Sequence, residues 1–189
     1  MARTMKPSPT TLDYALLGLL NAQPMSGYDV RKLFESTPMT RFSSSPGSIY
    51  PVLKRLERWD WLTGRVDRRT PLRPRKILRI TAAGQKHLKQ WLTQPISEDD
   101  IVHRLENVIL RFSYMDGLIN RADQIAFLEQ LAQTTGSYVA KLQAHHRRLR
   151  ESMPMHGALS LELGIAGYRT QQRWARRAIT VLKQHRDGR

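Results

Sequence analysis

Between Arg65 and Arg79 seven cations, Arg65, Arg68, Arg69, Arg73, Arg75, Lys76 and Arg79, stand against a single acid, Asp67. Just upstream, Ile49, Val52, Leu53 and Leu56 recur at i, i+3, i+4 and i+7. That spacing is one apolar stripe of a helix, which should face a core. The opposite side then carries Gly47, Pro51, Lys54 and Arg58, with Tyr50 and Arg55 on its flanks. Cations so placed neutralise phosphates and, from a helix in the major groove, reach guanine edges. Alone, a basic helix face is most often plain solvated surface. Joined to an arginine-rich loop, it reads as a grip on duplex nucleic acid.

Other chemistries find few residues to use. The six histidines, His87, His103, His145, His146, His156 and His185, show no HExxH or other metal-ligand spacing. His145 and His146 sit among Arg147, Arg148 and Arg150 and read as a charged helix face. The absence of cysteine excludes disulfides, thiol catalysis and Cys-ligated zinc. Ser43, Ser44 and Ser45 lack a neighbouring base or a nucleophile elbow. No glycine-rich phosphate loop is present; Gly164 and Gly167 lie in helical register with Tyr168 and read as places for close helix packing. The expectation is a protein with no enzymatic activity, no cofactor and no metal.

The charge distribution supports a polyanionic partner. The chain has 189 residues, 40% of them apolar, and a formal net charge of +15. Residues 1–92 carry +11 of it, seventeen Lys and Arg against six Asp and Glu, and residues 93–189 the other +4, fourteen against ten. A membrane surface is the competing polyanion. Against it, no apolar run approaches the roughly 18 residues of a spanning helix, and no basic cluster flanks one. The first ten residues, MARTMKPSPT, lack the apolar core of a signal peptide, so a cytoplasmic location is expected.

The elements that must position these cations follow from local patterns. Thr11 or Asp13 caps a helix to about Ala22, with Leu12, Ala15, Leu16, Leu19 and Leu20 buried. Gln23 and Pro24 end it. Ser26 caps a second helix from Gly27 to Ser36, with Tyr28, Val30, Leu33 and Phe34 at its apolar positions, and a Ser, Thr and Pro-rich turn covers residues 37–45. The third helix spans residues 45–59; either it truly begins near Ser48, with Pro51 in its first turn, or it starts at Pro46 and bends. Strands at Leu62–Val66 and Lys76–Ile80 flank a loop marked by Thr70, Pro71 and Pro74. Ile77 and Ile80 cannot both face the core by strict alternation. Thr81 opens a fourth helix that buries Leu88, Trp91 and Leu92. Three helices, a hairpin and a helix make a winged helix-turn-helix domain over residues 11–93, after an N-terminal arm of residues 1–10. A basic wing of this kind lies along the backbone or probes the minor groove.

Residues 97–186 read as an all-helical, coiled-coil-like domain. Ser97 followed by Glu98, Asp99 and Asp100 starts a helix in which Ile101, Leu105, Val108, Phe112 and Met115 recur at spacings of four and three. Asp116 and Gly117 interrupt it. A second helix from Arg121 repeats the pattern at Leu128, Leu131, Thr135, Tyr138, Leu142, His145 and Leu149. After a loop at Met153–Gly157, a third carries Leu161, Ile165, Tyr168, Gln172, Ala175, Ile179 and Leu182. Long helices cannot bury such stripes alone, so they should pack together and offer leftover apolar surface to a second subunit. Leu161, Ile165, Tyr168, Ala175, Ile179 and Leu182 are the expected dimerisation residues. The fold class is therefore mainly α with a small β wing.

LDYALLGLL at 12–20, SGYDVRKLF at 26–34, SPGSIYPVLKRLE at 45–57 and RPRKILRITAAGQKHLKQWL at 73–92 resemble, in order, the motifs of the PadR family of bacterial transcriptional regulators. The helical remainder resembles the longer C-terminal domain of the subgroup to which the founding regulators belong. Two positions depart from the family pattern: Asp60 stands where a glycine is usual, and Ile77 where an aromatic is common. The resemblance implies a homodimer that binds operator DNA at an inverted repeat, usually as a repressor, with a small molecule reducing the binding. It places DNA contacts at Ser44, Ser48, Tyr50, Lys54 and Arg58 of the recognition helix and at Arg68, Arg69, Arg73, Arg75 and Lys76 of the wing. Tyr28 either touches a phosphate or packs between helices. The effector, aromatic or phenolic in some relatives, has no legible pocket; Trp91, Phe112 and Trp174 are its candidate lining, though each reads first as plain core. The competing function is an architectural protein that binds nucleic acid through charge alone.

Overall fold

The computed structural model describes residues 9–36, 46–67, 75–149 and 151–184. The chain divides into two compact units, residues 1–92 and 93–189.

The first unit runs α1 (Thr11–Ala22), β1 (Met25–Ser26), α2 (Gly27–Ser36), a 3-10 turn at Pro46–Ser48, α3 (Ile49–Arg58), β2 (Leu62–Asp67), β3 (Arg75–Ile80) and α4 (Ala82–Leu92). Thr10, not Thr11 or Asp13, caps α1. Its hydroxyl accepts from the Asp13 N–H at 3.4 Å, while the Asp13 carboxylate accepts from the Thr10 N–H and hydroxyl, each at 2.7 Å. Asp13 is thus the inner member of a capping box. α1 is the central helix, packed against α3, α4 and β3. Packing on several sides buries Leu17 along with Ala15, Leu16 and Leu20, and leaves the expected Leu12 and Leu19 only half-buried. Ser26 caps α2 as expected: its hydroxyl accepts from the Asp29 N–H at 3.2 Å and donates to the Asp29 carboxylate at 2.6 Å.

The wing has three antiparallel strands in the order β1-β3-β2, rather than the expected two. Met25 pairs with Leu78 and Ser26 with Ile77. A two-residue strand is too short to show the alternation that betrays strands in sequence. β2 pairs with β3 from Leu62↔Ile80 to Asp67↔Arg75, so both strands run one residue further toward the tip than expected. Leu78 and Ile80 share one face of β3 and Ile77 takes the other, as a period of two requires.

α3 begins as an α-helix only at Ile49, which puts Pro51 in its first turn, where no intrahelical acceptor awaits an N–H. It ends in a Schellman motif. Asp60 adopts φ 57°, the Asp60 N–H donates to Glu57 O at 3.0 Å, and the Trp61 N–H reaches back to Leu56 O at 2.9 Å. Thr81 fastens this turn to α4, its hydroxyl donating to Asp60 O at 2.6 Å and accepting from the Gly84 N–H at 3.0 Å. Trp61 is buried and stacks on His87 at 4.1 Å, and Tyr14 stacks on Trp91 at 4.6 Å. Trp91 is therefore committed to the core of this unit.

The second unit holds α5 (Glu98–His103), α6 (Leu105–Ser113), α7 (Arg121–Leu149) and α8 (Met155–Gln184). The first expected helix is two, broken at Arg104, whose φ of −139° is not helical. Arg104 turns back onto Asp99 at 2.5 Å and Asp100 at 3.1 Å. The apolar spacing continues across the break, which is why periodicity could not register it. Ser97 caps α5 in a capping box with Asp100. Burial acts to raise the Asp100 pKa, but hydrogen bonds from the Ser97 side chain and backbone, with the Arg104 guanidinium, hold it below the usual carboxylate range. Arg111 is 4% exposed, lies over the Phe127 ring at 4.9 Å and donates to Gln94 O. Burial lowers its pKa to about 10, which leaves it charged at neutral pH.

α7 and α8 form an antiparallel hairpin. Tyr138 meets Tyr168 edge to face at 4.9 Å, Gln172 Nε2 donates to Ala132 O at 3.0 Å, and Lys183 lies 3.7 Å from Glu129. α8 starts at Met155, inside the segment expected to be loop to Gly157. On α7 the buried residues include Phe127, Ala132 and Val139 beside the expected Leu128, Leu131 and Thr135, while His145 is exposed and lies 3.2 Å from Arg148.

Candidate nucleic-acid interface

The basic face of the first unit is built on α3. Ile49, Val52, Leu53 and Leu56 are all buried, as their spacing requires, and this turns Lys54 and Arg58 to the surface. Two contacts fix the helix. Arg55 donates to both carboxylate oxygens of Asp13, at 2.7 Å from its Nη2, and Asp13 is fully buried. The Arg55 guanidinium also lies over the Trp59 ring at 5.4 Å. Arg55 therefore ties α3 to α1 and belongs to the scaffold, a role its flank position in the sequence did not reveal. At the N-terminal end, Gly27 lets α2 approach α3 so closely that a Cβ there would stand 3.0 Å from the Tyr50 ring. Tyr50 rests on that spot with 45% of its surface exposed.

The wing lies beside this face. An open groove of about 800 Å³ is lined by Tyr50, Pro51, Lys54, Glu57 and Arg58 of α3 and by Lys76 of β3. Lys76 Nζ is 2.5 Å from Glu57 Oε1, and Arg75 Nη1 is 4.0 Å from Asp29 Oδ1. Of the five expected wing contacts, the two that fall in the described residues, Arg75 and Lys76, are thus both next to acids of the same unit. Ser48 ends the 3-10 turn that leads into α3 and is not among the residues that line the groove. Tyr28 is 52% exposed with Arg31 over its ring at 5.6 Å, so it is not packed between helices. Ser44, Arg68, Arg69 and Arg73 lie outside the described residues.

The expected dimerisation residues divide. Ile165 and Ala175 are buried in the chain itself, and Leu161, Tyr168, Ile179 and Leu182 on the same side of α8 are half-buried. This side faces α7. α8 has a second apolar side, formed by Met155, Leu159, Leu163, Trp174 and Val181, all exposed by 39% or more. Both stripes are present in the sequence, and the expected dimerisation residues lie on the one that α7 covers. Phe112, half-buried, packs against Trp174 at 5.6 Å and Phe127 at 6.5 Å within the second unit.

Among the described residues no group of three or more His, Asp or Glu could hold a metal ion, and no helix is long and apolar enough to cross a membrane.

The chain was compared with known proteins. The model of the transcriptional regulator PadR-like family matches residues 16–90, which span α1 to α4. The negative transcriptional regulator PadR of Bacillus subtilis is 27% identical over 143 residues, covering 75% of this chain and 76% of that protein. Among solved structures, a PadR-like transcriptional regulator of Bacillus cereus is 26% identical, with a TM-score of 0.43 over 94% of this chain and 99% of that one. Bacillus subtilis PadR in complex with operator DNA is 22% identical, with a TM-score of 0.43 over 92% and 99%. The ordered motifs at 12–92, the winged fold that they build and the family match over the same stretch make residues 16–90 similar to the PadR-like family of transcriptional regulators.

Proposed function

We propose that this protein is a sequence-specific, ligand-responsive repressor that binds an inverted repeat as a homodimer. The observation that carries this reading is the groove between α3 and the wing, where Tyr50, Lys54 and Arg58 stand exposed on a helix whose other face is locked into the core. The DNA-contacting set is Tyr28, Ser44, Ser48, Tyr50, Lys54 and Arg58, with Arg68, Arg69, Arg73 and Arg75 of the wing on the backbone; Lys76, expected beside them, is paired with Glu57 instead. Residues 11–93 form the DNA-binding domain behind an arm of residues 1–10, and residues 97–186 form the dimerisation domain. A repressor is favoured because the 27%-identical relative is a negative regulator. A two-fold dimer would set two recognition helices one helical turn apart, about 34 Å, on an inverted repeat.

The dimer contact lies on the outer side of α8. Leu163 is 76% exposed, and neither Gly164 nor Gly167 has any neighbour within 4 Å of where a Cβ would stand, so a second helix could come close there. The effector is an aromatic or phenolic molecule, an expectation that rests on the family resemblance alone. The test of the DNA reading is substitution: Lys54→Ala and Arg58→Ala should each weaken operator binding, by about 1–3 kcal/mol if the lost contact is to a base edge, while the dimer persists. Wild-type affinity in both variants would remove them from the interface.

A further inference from the structure

The groove between α3 and the wing holds one acid among its lining residues, Glu57. Its carboxylate bridges from helix to strand, 2.5 Å from Lys76 Nζ, with 24% of its side chain exposed against 53% for Lys76. The neighbouring strand is bare at this point. A Cβ on Gly64 of β2 would overlap the Lys76 side chain and come within 2.9 Å of Glu57 Oε1, so the ion pair occupies the space that glycine leaves. Lys54 and Arg58, on the same face, have no ion-pair partner among the described residues.

A carboxylate in a groove that faces phosphates opposes binding, and here it also occupies the nearest wing lysine. We propose that Glu57 is a specificity-determining residue: it withholds Lys76 from the phosphates and fixes the wing against α3. The proposal rests on reading the groove as the DNA interface. Lysine is a flexible point charge that meets any phosphate, so a free Lys76 adds affinity for every sequence alike. Phosphate contacts carry no sequence information, and a contact made with all duplexes enlarges the competition from random sites. Holding Lys76 on Glu57 removes that contribution and leaves Lys54 and Arg58, on the rigid helix, as the cations that read position.

The salt dependence of binding to a random duplex, measured by fluorescence anisotropy, tests this. In Glu57→Gln the slope of log K against log salt should steepen by about 0.9, with random-duplex affinity rising by about fivefold at 0.1 M salt. The ratio of operator to random affinity should fall. Gly64→Ala should shift the slope in the same direction, because its methyl displaces Lys76 while the Glu57 charge stays. The double variant Glu57→Gln/Lys76→Ala should return to the wild-type slope, since the gain runs through Lys76. An unchanged slope in Glu57→Gln overturns the proposal, and so does a steeper slope that persists in the double variant. A wild-type protein that fails to prefer the operator overturns the DNA reading beneath it, a result distinct from either slope.

Discussion

Asp60 and Asp13 show what single residues contribute here. Asp60 occupies a left-handed position, φ 57°, at which the family usually has glycine. That conformation costs an L-residue about 1–2 kcal/mol, less for aspartate, and glycine returns part of the gain as unfolded-state entropy. Asp60→Gly is therefore expected to stabilise the first unit by about 0.5–1 kcal/mol. Urea denaturation followed by tryptophan fluorescence reads this directly, since Trp59, Trp61 and Trp91 lie in that unit and only Trp174 outside it. A lower midpoint would mean that the aspartate side chain contributes more than its backbone strain costs. Asp13→Ala removes both a capping-box partner and the buried acceptor of Arg55, whose own side chain remains 32% exposed. Partial exposure of the arginine reduces the loss from that of a fully buried pair to about 2–4 kcal/mol, by the same measurement. The left-handed turn was legible as a departure from the family's glycine. The Asp13–Arg55 pair was not, because its members are 42 residues apart and nothing local couples them.

The elements were legible where one face is buried and the other wet. α3, with its apolar positions at i, i+3, i+4 and i+7, came out as expected, and its proline selected the later of two possible starts. α1 was harder to read, because a helix packed on several sides loses the single stripe that periodicity detects. β1 escaped notice through its length, and the break at Arg104 because apolar spacing crosses it. At the start of α5, Ser97→Ala should cost the second unit about 1 kcal/mol. The pH dependence has a definite sign. Asp100 has a depressed folded pKa, so its contribution is fully present above the unfolded aspartate value of about 4 and is lost as pH falls through the folded value. Stability of wild type against Ser97→Ala should therefore converge in that acid window; a difference that stays constant down to low pH would separate Ser97 from the titration of Asp100.

For the molecule as a whole, the proposed function asks two things of one chain: that a basic unit carrying +11 hold DNA and that a helical unit bring two copies together. The heptad pattern of α8 was legible, but not which stripe its own α7 would cover. Leu163→Asp, on the exposed stripe, should convert the proposed dimer to monomer in analytical ultracentrifugation without unfolding the helices. Persistence of the dimer would move the interface elsewhere. The monomer should then lose most operator affinity while keeping its binding to random duplex, because two half-sites no longer act together. Charge alone would give an architectural protein, and the separation between that and a regulator is quantitative. The deciding measurement is the ratio of affinities for a promoter fragment bearing an inverted repeat and for random duplex of equal length, at physiological salt. A regulator that reads sequence through Lys54 and Arg58 should show a ratio of at least about 10³, and a ratio below about tenfold would contradict it.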